Sequence, residues 1–439
     1  MTSNLRSVGY VTAVAVAVAD MIGTGVFTSL GFQVVGTRSG FALLAIWAVG
    51  GLVALCGALS YAELGATIPR SGGEYHFLRR IYHPVLGLLG GWATITVAHA
   101  APIALSCIAL GTFAQGLIPG SPRVISVTTL AVVSVIHAVS LRLAQAFQVS
   151  TTGLKVVLII GFVAVGLALP VRTDISFLPT AAAFAEISTP AFAVSLIYVS
   201  YAFSGWNAAA YMVGELKDPQ RTLPRAMLHA TLLVTVMYLA LNWTFLRAVP
   251  IAEMAGKVEV GGLAAAALLG ANGGRAMNGM IALVLLSSVS AMTFAGPRIT
   301  QVIGEDLPAL GLLARRTAGG VPRNALVMQQ LIALAFILTG AFEPVLTYAG
   351  FTMNLFSMLV VLGVFVLRWR EPGLPRPYRT WGYPVTPAIF IALSLWTLGF
   401  VAVAKPREAL LGFATVASGL FLLFFRRVPT SASSPEPSA

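Results

Sequence analysis

Two interruptions of otherwise apolar runs are the places where this sequence could bind a polar molecule. The first is MIGTGVF, from Met21 to Phe27, and the second is SGWN, from Ser204 to Asn207. Glycines weaken a helix, which is the structure that a lipid bilayer normally enforces on the backbone. Irregular backbone at membrane depth is tolerated only where it lines a cavity or is buried by protein. The paired interruptions therefore predict a binding site made largely of backbone groups.

Opposed backbone groups at the two interruptions would suit the head group of an α-amino acid. An unwound turn from Ile22 to Gly25 leaves N–H groups that can hold a carboxylate, and the positive end of the next half-helix adds to the attraction. Around Ala202 to Ser204, carbonyls and the end of a half-helix would accept an ammonium group. The alternative for Gly23 and Gly25 is close packing between helices.

Two ionisable residues, Lys155 and Asp20, lie inside apolar runs. Charged side chains within membrane spans are costly and usually face the interior of the bundle, so both are functional candidates. Lys155 could gain and lose a proton as the protein works. The alternative is a lysine whose long side chain reaches the membrane interface.

Asp20 lies about one helical turn before Gly23, the first glycine of the first interruption, and has several possible roles. It could pair with Lys155, carry a proton, or serve as the ligand for a cationic substrate. The remaining alternative is a water-exposed carboxylate at the inner mouth of the site. No other carboxylate is expected in the site, so substrates with neutral side chains are favoured.

The composition is that of a membrane protein. Of the 439 residues, 57% are hydrophobic and 10% are charged, against roughly 25% charged in soluble domains. The net charge of +12 comes from basic residues scattered through the loops, which favours membrane topology over nucleic-acid binding. Cys56 and Cys107 both fall within apolar runs and are expected to be small core residues rather than a disulfide.

The hydrophobic runs divide into twelve predicted membrane spans. They cover residues 8–35, 40–66, 85–116, 122–140, 148–170, 190–214, 225–248, 277–301, 324–342, 344–368, 383–403 and 408–425. Most basic residues then fall on the side of the N-terminus, which predicts a cell inner membrane protein with both termini cytoplasmic. A short cytoplasmic helix is expected between Arg70 and Arg80, and an interfacial helix from Gly261 to Gly270. Residues 429–439, rich in Ser and Pro, are expected to be disordered.

Two glutamates near the predicted cytoplasmic ends of spans are expected to have structural roles. Glu63 and Glu215 are interpreted as partners for nearby arginines rather than as parts of the site.

Three long strings resemble the amino acid–polyamine–organocation (APC) superfamily. They are MIGTGVF, LSYAELGATIPRSGGEYHFLRRIYHPVLGLLGGW at Leu59 to Trp92, and YAFSGWNAAAYMVGELKDPQRTLPRAM at Tyr201 to Met227. The third string and RWREPGLPRPYR, at Arg368 to Arg379, look closest to the L-amino acid transporter branch. The strings occur in the order and at the spacing of the family pattern.

The resemblance implies an all-α membrane protein with a LeuT-like 5+5 inverted repeat, in which helices 1 and 6 are discontinuous. The repeats would occupy residues 1–170 and 190–368, followed by two accessory helices at 383–425. The resemblance also implies that Tyr201 is an aromatic gate over the substrate, although an interfacial tyrosine is the alternative. Lys155 matches a lysine that several family members keep near the broken first helix, where its ammonium group can occupy the place of a sodium ion.

These observations assemble into one predicted site. Ser204 and Asn207 are its candidate polar side chains, while Trp206 belongs equally to the site or to packing. The predicted substrate-binding residues are Ile22, Gly23, Thr24, Gly25, Tyr201, Ala202, Phe203, Ser204 and Asn207, with Lys155 and Asp20 as coupling residues.

The function predicted from the sequence is sodium-independent secondary transport of neutral L-amino acids, as an exchanger or a proton symporter. A cationic amino acid or polyamine transporter using Asp20 is the alternative. A channel or a membrane-embedded enzyme is less favoured, since neither a continuous polar pore nor a set of catalytic groups is evident. No GxxxxGK[ST] loop is present, which argues against an ATP-driven pump.

Neither a cofactor nor a metal ion is expected. Heterodimeric members of the family use a cysteine in the outer loop between helices 3 and 4. This chain has no cysteine between Gly116 and Arg123, so no disulfide-linked partner subunit is expected.

Overall fold

The computed structural model describes residues 8–70, 72–139, 141–317 and 320–425, and these residues form a helical bundle without a β-strand. The predicted disordered tail at 429–439 lies outside the described residues. In chain order, the α-helices are α1 Tyr10–Met21, α2 Thr24–Gln33, α3 Gly40–Thr67, α4 Gly73–Ile81, α5 Pro84–Ala93, α6 Ala100–Phe113, α7 Pro122–Val139, α8 Leu141–Ala168, α9 Ala181–Ile187, α10 Pro190–Ala202, α11 Ala208–Tyr211, α12 Pro219–Ala248, α13 Ile251–Met254, α14 Val260–Asp306, α15 Arg323–Thr339, α16 Phe342–Arg370, α17 Val385–Ala404 and α18 Pro406–Ser418.

Eight helices among the described residues are long and apolar enough to cross a membrane, and a bent pair, α9 with α10, raises the number to nine. One of the eight is the broken unit Tyr10–Gln33, and another is Pro84–Phe113. Three shorter apolar helices also occur, at Pro122–Ala138, Lys155–Ala168 and Arg323–Thr339. The predicted all-helical fold is therefore confirmed, with apolar helices of the length that a membrane protein needs, while the division into twelve spans remains a prediction.

Both predicted interruptions are breaks in the helices. α1 ends at Met21 and α2 begins at Thr24, because Ile22 and Gly23 leave helical geometry. α10 ends at Ala202, and helical structure resumes only at Ala208. The intervening Gly205 has a φ of 107°, a left-handed conformation that glycine adopts without steric cost.

The two loop helices expected from the sequence are also present. α4 presents Phe77 and Leu78 to the protein interior and carries Arg79 and Arg80 in its last turn. The segment from Val260 is helical up to Gly270, whose non-helical φ and ψ separate it from the long helix that follows.

The broken helices lie at the centre of the bundle. α2 packs against α10, and α12 packs against α1, α3 and α11. Consequently α12 packs against one helix of each break, α1 at the first and α11 at the second.

Glu63 is buried in an ion-pair cluster at one end of the bundle, as the sequence predicted. Its side chain is 2% exposed, accepts two hydrogen bonds from the Arg368 guanidinium at 2.9 and 2.6 Å, and accepts a third from the Thr380 N–H at 2.7 Å. Arg376, 6% exposed, lies 3.6 Å away. The cluster ties α3 to α16 and to the following loop. Glu215 is in none of the ion pairs between described residues; its carbonyl accepts from the Val8 N–H.

Replacing Glu63 with alanine is predicted to destabilise the protein strongly. The change leaves two buried or half-buried arginines without their carboxylate, and breaking a buried pair in this way costs roughly 3–5 kcal/mol. The measurement is thermal unfolding in detergent. The matched control is Glu371→Ala, which removes a more exposed pair with Arg80 and should cost about 0–1 kcal/mol. Equal losses of stability in the two variants would contradict the prediction.

Candidate substrate site

The two breaks touch each other through glycines. A Cβ added to Gly25 would lie 2.5 Å from Cα and Cβ of Ala202, the last residue of α10. A Cβ on Gly205 would lie 2.7 Å from the carbonyl carbon of Asp20 and 2.8 Å from its carboxylate. Any larger residue at either glycine must therefore push the broken helices apart.

The two glycines of the first break have different environments. Gly25 is in close helix packing, the alternative that the sequence left open. A Cβ on Gly23 would meet only the Ser288 hydroxyl, at 3.8 Å, so this position faces space rather than a neighbouring helix. A bulky residue at Gly25 would thus disturb the fold as well as the site, which makes Gly23 the cleaner position for substitution.

One tyrosine hydroxyl joins both breaks. Tyr238, on α12, is fully buried and lies 2.6 Å from the Met21 carbonyl and 3.0 Å from the Ala202 carbonyl. These are the last residues of α1 and α10, where carbonyls lack helical partners. The Tyr238 ring also packs against Trp47 and Phe203, with centroids 5.5 and 5.0 Å apart.

Lys155 is buried beside the first break. Its side chain is 1% exposed, and its Nζ donates to the Ala19 carbonyl at 3.2 Å and to the Ser288 hydroxyl at 3.0 Å. The alternative of a lysine reaching the interface is therefore wrong. None of the ion pairs between described residues joins Lys155 to Asp20, although both line one small cavity.

The predicted site residues are distributed over two adjoining cavities. The larger, of about 100 Å³, is lined by Phe203, Asn207 and Trp206 together with residues of α3, α6 and α16. The smaller, of about 30 Å³, is lined by Gly23, Thr24, Gly25, Lys155 and Ala202. Asp20, Tyr201 and Ser204 line both cavities and form the boundary between them.

All but one of the predicted residues line these cavities. Ile22 is fully buried and lines neither cavity, so its side chain belongs to the core and only its backbone remains a candidate. Trp206 packs edge-on against Tyr61, 4.7 Å between centroids, while also lining the larger cavity. Both interpretations of Trp206 therefore apply. Thr24 shares a 2.6 Å hydrogen bond with Ser106, which ties α2 to α6.

Three residues of the site are not predicted from the sequence, and a fourth, Gly205, is predicted as part of the second interruption but not as a contact of the site. Glu74 and His99 line the larger cavity, Tyr238 joins the breaks, and Gly205 contacts Asp20. Glu74 falls in the short helix expected between Arg70 and Arg80, and nothing in the sequence shows that this helix reaches the cavity. Gly205 had a visible signal, since it is the glycine of the second interruption.

His99 owes its position to an irregular helix. Residues Thr94–Ala98 form a π-helical turn, a geometry that is frequent at functional sites. The His99 Nδ1 lies 3.3 Å from the Thr94 carbonyl, which can only accept, so the ring donates there. The other ring nitrogen is then an acceptor in the neutral ring. The larger cavity thereby gains a second kind of acceptor beside the carboxylates.

The site is therefore a set of helix ends whose backbone groups are held by side chains. Over residues 8–425 the chain matches the amino acid permease family, described as "Amino acid permease". The chain belongs to this family of the APC superfamily, and it is a multi-span membrane transporter rather than an enzyme.

Curated relatives agree with the family assignment. The chain is 27% identical to the b(0,+)-type amino acid transporter 1 of Homo sapiens, over 96% of this chain and 88% of that protein. It is also 27% identical to the Asc-type amino acid transporter 1 of Mus musculus, over 95% of this chain and 81% of the relative. The large neutral amino acids transporter small subunit 2 of Homo sapiens is 27% identical, over 95% of this chain and 80% of the relative.

Tyr238→Phe is predicted to impair transport while leaving the fold intact. The ring keeps its packing, but the Met21 and Ala202 carbonyls lose their shared donor, at roughly 0.5–1.5 kcal/mol per hydrogen bond. Uptake of a labelled amino acid into proteoliposomes is the measurement. Tyr348→Phe, which removes a hydroxyl bonded to Thr415, is the matched control. Uptake reduced equally in both variants would assign the effect to general destabilisation.

Proposed function

We propose that the protein is a secondary active transporter of neutral L-amino acids that works by alternating access and without sodium. The observation that carries the proposal is the meeting of two helix breaks at one pair of cavities. We propose twelve spans in a 5+5 inverted repeat with two accessory helices, in the cell inner membrane and with both termini cytoplasmic. The paired breaks and the family membership support this arrangement.

The substrate head group is proposed to bind at the breaks. The first N–H groups of α2 have no acceptor within the helix, and at Gly23 the added Cβ meets nothing closer than 3.8 Å, so a carboxylate has access there. The carbonyls around Ala202 and Ser204 accept the ammonium group. Tyr201, 6% exposed and lining both cavities, is suited to cover the bound molecule.

Lys155 is proposed to take the place of a coupling cation. Its ammonium group donates to Ala19, in the last turn of α1, and to Ser288 on α14. A positive charge is thus already fixed between the first break and α14, which supports sodium-independent transport. Whether the cycle is exchange or proton symport depends on whether this contact changes as the substrate crosses.

A cationic substrate is the second candidate, supported by the acceptors in the larger cavity. Asp20 and Glu74 both line it, and no lysine or arginine among the described residues does so. A basic side chain would find a complementary charge at Asp20. A preference for neutral substrates therefore requires that the Asp20 carboxylate pairs with Lys155 or binds a proton, rather than binding the substrate.

Substrate analogues test the head-group site directly. Methyl esterification of the carboxylate or acetylation of the amine should abolish competition with labelled leucine, because each removes a charge that the breaks must hold. Competition by unmodified arginine, measured in the same proteoliposomes, separates the two candidate substrate classes. If both blocked analogues compete as well as free leucine, the backbone site is wrong.

Arginine competing better than leucine would favour the cationic candidate, and Asp20→Asn should then abolish the arginine preference. Under the neutral candidate, the same variant should leave the ranking of substrates unchanged and alter only the dependence of uptake on pH.

Lys155→Met is predicted to reduce uptake severely, since the side chain keeps its length but loses the donors to Ala19 and Ser288. Wild-type uptake should be the same in sodium and in choline buffers. Ser288→Ala removes one of the two acceptors and should have a smaller effect. Near wild-type uptake by Lys155→Met would exclude a coupling role.

A further inference from the structure

Glu74 is a buried carboxylate that the proposed head-group site does not use. It lies in the first turn of α4, is 8% exposed, and lines the larger cavity. Its Oε1 accepts from the Tyr61 hydroxyl at 3.0 Å and from the Asn207 amide at 2.8 Å, while Oε2 accepts from the Tyr211 hydroxyl. No lysine or arginine forms an ion pair with it within the described parts of the chain.

The three donors come from two different parts of the bundle. Tyr61 belongs to the long helix α3, whereas Asn207 precedes α11, the four-residue helix after the second break, and Tyr211 is its last residue. The Asn207 amide also contacts the Tyr211 hydroxyl, at 3.3 Å. The carboxylate therefore fastens the segment beyond the break to α3 and α4.

The backbone of α4 is shaped for this contact. Gly72 and Gly73 have φ values of 135° and 54°, and a Cβ on Gly73 would lie 1.7 Å from the Tyr211 ring. Only glycine allows the start of α4 to pass so close to that ring. The contact thus depends on backbone geometry as well as on the carboxylate.

The opposite side of α4 is anchored independently. Arg79 and Arg70 lie 3.3 and 3.6 Å from Asp306 at the end of α14, and Arg80 forms two hydrogen bonds with Glu371 after α16. Loss of the Glu74 contacts would therefore remove the polar attachment of the α11 segment without releasing α4 itself.

We propose that Glu74 is a latch, which by holding Asn207 and Tyr211 closes the end of the larger cavity that faces α4. When the carboxylate releases them, the segment beyond the second break moves and the cavity opens on that side. The opening serves substrate release and so rests on the proposed transport function. Glu74 acts through the position of Asn207 and Tyr211, and is a positioning residue rather than a ligand.

The test measures access to the cavity rather than transport. Ser200 lines the larger cavity, and Ser200→Cys places a reactive thiol there, while Cys56 and Cys107 are buried. The full chain is reconstituted, and labelling by a membrane-impermeant maleimide is timed from each side separately. Glu74→Ala should speed labelling from the side of α4 by about tenfold and slow it from the other side.

Three variants make the interpretation specific. Tyr211→Phe, which removes one hydroxyl, should speed labelling less than Glu74→Ala does. Glu74→Gln, which keeps one acceptor oxygen, should restore part of the closed state. Glu371→Gln is the matched control, since it weakens an anchor of the same helix outside the cavity, and its labelling rate should equal that of the parent.

Two results would overturn the latch. One is unchanged labelling in Glu74→Ala when the variant unfolds at the parent temperature. The other is equal acceleration in Glu371→Gln, which would assign the effect to general loosening of α4. Faster labelling of Glu74→Ala from the α4 side, when neither this variant nor its parent takes up an amino acid, would retain the latch and reject the proposed function. Normal amino acid uptake with unchanged labelling would do the reverse.

Discussion

The architecture depends on one constraint, namely that a helix broken inside a membrane must find partners for its freed backbone groups. The last carbonyls of α1 and α10 are such groups, and the hydroxyl of Tyr238 contacts both. Lys155 donates in the same way to the Ala19 carbonyl, two residues before Met21. An unsatisfied polar group is costly in an apolar surrounding, and these donors lower that cost at the breaks.

These donors leave some backbone groups at the breaks without a full set of hydrogen-bond partners, and such groups can bind a polar molecule. Carbonyls at the ends of α1 and α10 are partly satisfied from within, while the first N–H groups of α2 have no acceptor in their helix. A zwitterion could engage both kinds of group. Close contact of Gly25 with Ala202, and of Gly205 with Asp20, brings the two sets of ends within reach of one small molecule.

Ion pairs, apolar packing and hydrogen bonds hold the elements around the two breaks. The Glu63 cluster and the ion pairs of α4 fix the long helices at one end of the bundle. α11 has four residues, of which Ala208, Ala209 and Ala210 are buried against neighbouring helices. Asn207 and Tyr211 add hydrogen bonds to Glu74, so the segment beyond the second break is held by packing and by polar contacts together.

The sequence by itself determined the helical membrane class, the family and both breaks, because these follow from local properties. Apolar runs of sufficient length form membrane helices. Gly23 and Gly205 interrupt these helices, whatever the helices pack against. It also singled out Lys155, since a charge in an apolar run is costly without an internal partner. Only the tertiary structure decided what each residue contacts. Gly25 packs against Ala202, the Ile22 side chain belongs to the core, and Glu74 reaches the cavity from a helix that the sequence assigns to a loop. Contacts between residues more than a hundred positions apart depend on how the helices pack, and no local pattern in the chain encodes that packing.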